Sequence, residues 1–115
     1  MRECLRSLKR NPKGDDGSVR RAYQTLLKII GNVVRNPDED KFRTIRLANP
    51  VFQDRVRSFD EGMGFLQMCG FEITEDGEFL HLPRNRVDKG LLNLAGLQLQ
   101  SASTNPFFGL LERPN

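Results

Sequence analysis

The chain is poor in the residues that do covalent or metal chemistry. It has one histidine, His81, and two cysteines, Cys4 and Cys69, far apart and without metal-ligand spacing, so these three do not make a zinc site. No glycine-rich phosphate loop, internal repeat or low-complexity tract occurs. No apolar run approaches the ~20 residues of a membrane span, and residues 1–13 are basic without an apolar core of the kind a signal peptide needs. Membrane insertion and secretion are therefore not expected. Two unpaired cysteines in this setting fit a reduced, cytoplasmic compartment, with nuclear or peripheral endoplasmic-reticulum pools compatible.

What is present suits one small domain. At 115 residues the chain can bury a single core, and an apolar fraction of 37% with mean hydropathy −0.53 leaves a polar surface. The formal net charge of +3 hides a gradient: residues 1–57 sum to +7 and residues 58–115 to −4. A basic half favours an acidic partner, protein or nucleic acid, although charged faces are more often simply solvated.

The densest information lies in Asn36 to Phe52, which holds two Asn-Pro pairs. Each reads as a helix start, with Asn at N-cap and Pro at N1. Asp38, Glu39 and Asp40 would then complement the dipole of a short helix continuing through Lys41 to Leu47. On that helix Phe42, Arg46 and Asn49 would share a face able to read a peptide. From residue type alone a plainer division is favoured, with Phe42 in the core, Arg46 solvated and Asn49 only a cap.

Along the rest of the chain, residues 1–17 read as a short basic helical piece (Cys4, Leu5, Leu8) and a flexible linker that adds little core. Val19, Ala22, Tyr23, Leu26, Leu27, Ile30, Val33 and Val34 follow helical spacing for four turns, with Ser18 as N-cap and Pro37 as the stop. After Pro50, Phe52 and Val56 face the core together. Ser58 to Glu61 fits a capping box that opens a helix with Phe59, Met63, Leu66 and Cys69 or Met68 inward, and Gly70 is its natural terminator. The period then changes to two across Phe71 to Leu82, with a turn at Asp76-Gly77, which predicts a hairpin packed on helices. A last helix over 87–100 presents Val87, Leu91, Leu94, Ala95 and Leu99. The apolar tail, residues 105–115, is expected to pack back. The expected fold is α+β, mainly α: a compact helical bundle with a small β-hairpin, its main unit spanning 18–104.

Catalytic candidates are few. Cys69 with His81 lacks an orienting third group, and the thiol falls at a helix C-terminus, where its pKa is not lowered. His81, alternating with Leu80 and Leu82, reads as a surface residue. The three consecutive acids at 38–40 lack a calcium-loop spacing.

Residue identities add a resemblance. Asn36 to Phe52, with its Lys41-Phe42-Arg43-x-x-Arg46-x-x-Asn49 core, a helix closing in Cys69-Gly70-Phe71-Glu72 and a strand ending Phe79-Leu80-His81-Leu82-Pro83, resembles a PUB (PUG) domain over about 19–100. The flanks, residues 1–8 and 105–109, are most similar to plant UBX-containing members. The resemblance implies a cofactor-free, non-enzymatic adaptor, expected to be monomeric, that binds the acidic Leu-Tyr C-terminal tail of the AAA ATPase valosin-containing protein in the ubiquitin–proteasome pathway. It implies a tyrosine pocket lined by Phe42, Asn49, Val51, Gly70 and Phe71, with Lys41 and Arg46 meeting the acidic residues or carboxylate. Where members often carry Tyr, this chain has Phe42, so a hydroxyl hydrogen bond is missing and stacking remains. Two other readings stand beside it. The first is nucleic-acid binding through Arg20, Arg21, Lys28 and Arg35, weakened by interspersed acids and no aromatic platform. The second is an interaction domain docking through Phe107-Phe108.

Overall fold

The computed structural model describes residues 2–11 and 15–104. Helix α2 (Asp16–Arg35) is the axis of the domain: Val19, Ala22, Tyr23, Leu26, Ile30 and Val33 are buried along one face, with Leu27 and Val34 half-buried beside them. Burying such a stripe stabilises by about 1.5–3 kcal/mol per large aliphatic side chain before conformational entropy is set against it. Its N-cap is Asp15 rather than Ser18. The Asp15 carboxylate accepts the Ser18 N–H at 2.7 Å, so Ser18 is the residue that is capped. Pro37 stops the helix as its chemistry requires.

Helix α1 (Arg2–Lys9) corrects the reading of the N-terminal segment. Leu5 and Leu8 are fully buried, and Tyr23 Oη donates to the Leu5 carbonyl at 2.7 Å. The same helix is tied to α5 (Asp60–Met68): Cys4 Sγ donates to the Glu61 carbonyl, Ser7 Oγ to Glu61 Oε2 and Asn11 Nδ2 to Glu61 Oε1. That use of Glu61 also explains why no capping box forms. Ser58 is in helical backbone and its hydroxyl donates to the Asp54 carbonyl, leaving extended Phe59 as the cap without a side-chain bond.

The first Asn-Pro pair ends a helix instead of starting one. Asn36 is the C-cap of α2, its backbone N–H donating to the Asn32 and Val33 carbonyls and its Nδ2 to Asn32. Helix α3 is only Asp40–Arg43, and the chain then extends into β1 (Thr44–Arg46). β-Branched Thr44 and Ile45 favour the pleat, and β1 finds a partner in β3 (Phe79–His81). The expected hairpin, β2 (Glu72–Ile73) with β3, is thus part of a three-stranded antiparallel sheet in the order β1-β3-β2. Leu80 and Leu82 point into the core.

The second pair behaves as expected. Helix α4 (Pro50–Phe52) runs directly into a π-helical turn, Gln53–Arg57, and Phe52 and Val56 are both buried. In α5 the inward residues are Phe65, Leu66 and Cys69, with Phe59 buried just before it, while Met63 is half-buried and Met68 exposed.

Helix α6 (Lys89–Thr104) lies antiparallel on α2, bringing Val19 and Tyr23 near Ala102 and Ile30 near Leu92. Its buried face is Leu92, Ala95, Leu99 and Ala102; Leu91 is half-buried and Leu94 exposed. Five leucines between 91 and 99 leave several helical registers open, and packing on α2 selects one. No described helix is long and apolar enough to cross a membrane. The tail at 105–115 lies outside the described residues.

Candidate functional site

The turn from β1 into α4 is built by Asn49. Its Oδ1 accepts the N–H groups of Val51 at 3.0 Å and Phe52 at 3.1 Å, and its own N–H donates to the Arg46 carbonyl at 3.1 Å. Pro50 supplies a first turn needing no donor there. The cap therefore sends Phe52 inward and leaves Val51 on the surface, 54% exposed. Arg57 Nη1, from the π turn, reaches the Leu47 carbonyl at 3.4 Å and braces the same corner.

Upstream, Phe42 is half-buried and Lys41 Nζ stands 5.1 Å from its ring centroid, a cation–π distance. Arg43, between Phe42 and β1, turns inward instead. Its Nη1 donates to the Leu82 carbonyl at 3.0 Å, its Nη2 lies 3.6 Å from Asp40 Oδ1, and Leu82 N–H returns a bond to the Arg43 carbonyl at 2.8 Å. This buried guanidinium locks α3 to the end of β3. Asp38 pairs with distant Arg84 at 2.6 Å and Asp40 with neighbouring Arg43, so two of the three acids serve ion pairs and only Asp40 sits in the first turn of α3.

Phe42, Arg46 and Asn49 do not share a helix face, because the helix ends at Arg43. Arg46 stands opposite Phe79 in the sheet, on the face away from Leu80. Lys41, Phe42, Arg46, Asn49 and Val51 follow one another along the segment that runs from α3 through β1 into α4. Gly70 and Phe71 come in from the other edge, where α5 leads to β2. Gly70 has φ +108°; its N–H donates to Gln67 and that of Phe71 to Leu66, a helix stop of the Schellman type. Phe71 is 2% exposed and belongs to the core. A Cβ on Gly70 would sit 2.9 Å from Leu82 Cδ1, so this stop packs against the residue that Arg43 holds.

Sequence reasoning missed Arg55 and Arg57. Between residues 41 and 57 there are five cations and one acid, Asp54. Lys41, Arg46, Arg55 and Arg57 are exposed, and only Arg43 is drawn inside. Their spacing suggested no motif, since the π turn that groups Arg55 and Arg57 has no simple signature. The segment 41–57 thus presents four exposed cations together with a half-buried aromatic, Phe42, and an exposed aliphatic side chain, Val51.

Covalent chemistry has less support. Burial pushes the Cys69 thiol up to about 12, so it holds its proton at neutral pH. His81 is half-buried, with Nδ1 3.0 Å from Thr44 Oγ1 and 4.0 Å from Asp40 Oδ1. Among the described residues no three His, Cys, Asp or Glu side chains gather as metal ligands.

A family model described as PUB domain matches residues 17–94. UBX domain-containing protein 6 of Caenorhabditis elegans is 42% identical over 57 residues, covering 50% of this chain and 13% of that protein. Plant UBX domain-containing protein 2 of Arabidopsis thaliana is 30% identical over 57 residues, 50% of this chain and 12% of that protein. The human peptide-N(4)-(N-acetyl-beta-glucosaminyl)asparagine amidase is 35% identical over 54 residues, 47% of this chain and 8% of that protein. The chain thus spans a small fraction of the length of the curated relatives it matches.

Proposed function

The chain belongs to the PUB-domain family, and from that membership we propose that it is a non-enzymatic adaptor module binding the acidic, Leu-Tyr-bearing C-terminal tail of the AAA ATPase valosin-containing protein. The observation that carries this reading is the segment from Lys41 to Arg57, which holds four exposed cations together with half-buried Phe42 and exposed Val51. A tyrosine ring brings much apolar area at little entropic cost and would pack on Phe42 and Val51, while Lys41 and Arg46 orient the acids and set the on-rate. Asn49 shapes the pocket by its cap, and Gly70 and Phe71 back it as the stop of α5, Gly70 lying against Leu82. A phosphate on the tyrosine would place a dianion in the apolar part and block entry. Such a module would serve ubiquitin-dependent degradation from the cytoplasm, as a monomer.

The test is a fluorescence-anisotropy titration of a labelled acidic Leu-Tyr peptide and its phosphotyrosine form. The expected result is saturable micromolar binding, about −8 kcal/mol, lost on phosphorylation and in Arg46→Glu. Arg46 is exposed, so circular dichroism should show that variant folded. Absence of binding by the folded wild-type chain, or equal binding by Arg46→Glu, overturns the proposal.

A further inference from the structure

Helices α2 and α6 leave an open groove of about 400 Å³ along their seam, within the range of small binding clefts, and none of its lining residues belongs to the segment 41–57. Leu27 and Val34 of α2 and Leu97 of α6 form its apolar walls. Gly31 and Gly96 line it too, two helix-interior glycines that lower helix propensity and leave open the space a side chain would take. Leu97 is 65% exposed, and Leu94, on the same outward face of α6, is 48% exposed.

Charge is distributed over these two helices unlike that of an ordinary solvated surface. From Gly90 to Thr104 α6 carries no charged residue, although Asn93, Leu94, Leu97 and Gln100 are exposed. The outward face of a surface helix normally carries charge; this one carries leucines. On α2, residues 20–35 hold four cations and no acid. Of these, Arg20, Lys28 and Arg35 are exposed along the shoulder beside Leu27, and none forms an ion pair with a described residue. Asp16, at the far end, is the one acid lining the seam.

We propose that this seam is a docking groove for an amphipathic helix of another protein, one whose apolar stripe covers Leu94 and Leu97 and whose acids meet Arg20, Lys28 and Arg35. Charge complementarity selects that occupant. A second copy docking through the same face would set the patch against itself, and residues 20–35 and 90–104 bring no acid to meet the cations. A nucleic acid would find cations on α2 alone, an uncharged helix opposite, and no exposed aromatic on the seam for a base to stack on, since Tyr23 is buried. The length fits as well. Arg20 to Arg35 covers about 22 Å at ~1.5 Å per residue, four turns of a docked helix presenting anchors at i, i+3 or i+4, and i+7.

The experiment titrates the full ¹⁵N-labelled chain with an amidated model helix of about four turns, made of leucines at i, i+3, i+4 and i+7 with glutamates flanking them, and with its lysine-for-glutamate counterpart. Neither peptide carries a tyrosine or a free C-terminus, so the outcome is independent of the proposed tail site. Expected is saturable movement of the Leu27, Gly31, Leu94 and Leu97 amide resonances with the glutamate peptide, those of 41–57 staying in place, and no response to the lysine peptide. Leu97→Glu, and separately Lys28→Glu with Arg35→Glu, should each weaken binding about tenfold or more, with the double variant also losing the salt dependence. All three positions are exposed, so the urea midpoints of these variants should match the wild type. Absence of saturable shifts, equal binding of the lysine peptide, or full binding by Leu97→Glu overturns the proposal. So do three outcomes in which another occupant takes the groove: resonances there that move on diluting the free chain, for a second copy; contacts from residues 105–115 to Leu97 in the free chain, for its own tail; and tighter binding of a single-stranded oligonucleotide at the same residues, for nucleic acid.

Discussion

Replacing Gly70 with alanine tests how the α5 stop is held against the strand behind the candidate site. Gly70 has φ +108°, beyond the left-handed helical region near +57° that other residues occasionally enter. A side chain in such backbone costs about 1–2 kcal/mol, offset by the ~0.4–1 kcal/mol that alanine contributes by restricting the unfolded chain. Sterics add to this. The new methyl would sit 2.9 Å from Leu82 Cδ1, and Leu82 is fully buried with its backbone bonded to Arg43, so it has no open space into which to turn. Overpacking of this kind costs about 1–3 kcal/mol, for a total of about 1–4.6 kcal/mol.

The control is Gly77→Ala. Gly77 has φ +74° at the hairpin turn and nothing within 4 Å of its would-be Cβ, so only the conformational cost applies, about 0–1.6 kcal/mol after the same offset. Urea unfolding of both variants reads the difference from the midpoints at constant m-value. If Gly70→Ala is no more costly than Gly77→Ala within about 0.5 kcal/mol, the close packing of Gly70 on Leu82 is refuted. The same variant should weaken peptide binding, since Leu82 holds Arg43 and Arg43 precedes β1.

Leu8→Ala should destabilise by about 2–5 kcal/mol in the same assay, because its side chain is fully buried between helices; a loss below about 1 kcal/mol would restore the N-terminal segment to a linker. Asp15 and Asp76 should titrate below the ordinary 3.8 in carboxyl-carbon NMR. The Ser18 N–H stabilises the first carboxylate, and the Thr74 hydroxyl with the Glu78 N–H stabilises the second. Since folding lowers both values, their stabilising effect is complete above the unfolded carboxylate pKa and disappears as pH falls through the folded values. Titration midpoints at or above 3.8 would show that these bonds do not hold in solution.

Several features were legible from local chemistry. The stripe from Val19 to Val34 dictates a helix whatever surrounds it, Pro37 ends it, and Asn49-Pro50 starts the next because cap and ring act within three residues. Gly70 likewise marked its own helix stop. The PUB resemblance, and with it the candidate residues Lys41, Phe42, Arg46, Asn49 and Val51, rested on side-chain identities close together in the chain.

Tertiary structure decided whatever depended on a distant partner. Asn36-Pro37 and Asn49-Pro50 look alike, yet the backbone and side-chain N–H groups of Asn36 close the end of α2, whereas Oδ1 of Asn49 caps the start of α4. Thr44 to Arg46 are strand because β3 supplies the opposing ladder, and the Glu61 carboxylate accepts from Ser7 of α1 and from Asn11 just beyond it instead of closing a capping box. Leu5 and Leu8 enter the core only when α5 and Tyr23 are in place. Arg43 and Arg46, three residues apart and identical in type, divide into a buried lock and an exposed rim because the chain changes from helix to strand between them. A short-range pattern carries its own energetics; a long-range contact exists only after the chain has folded back on itself.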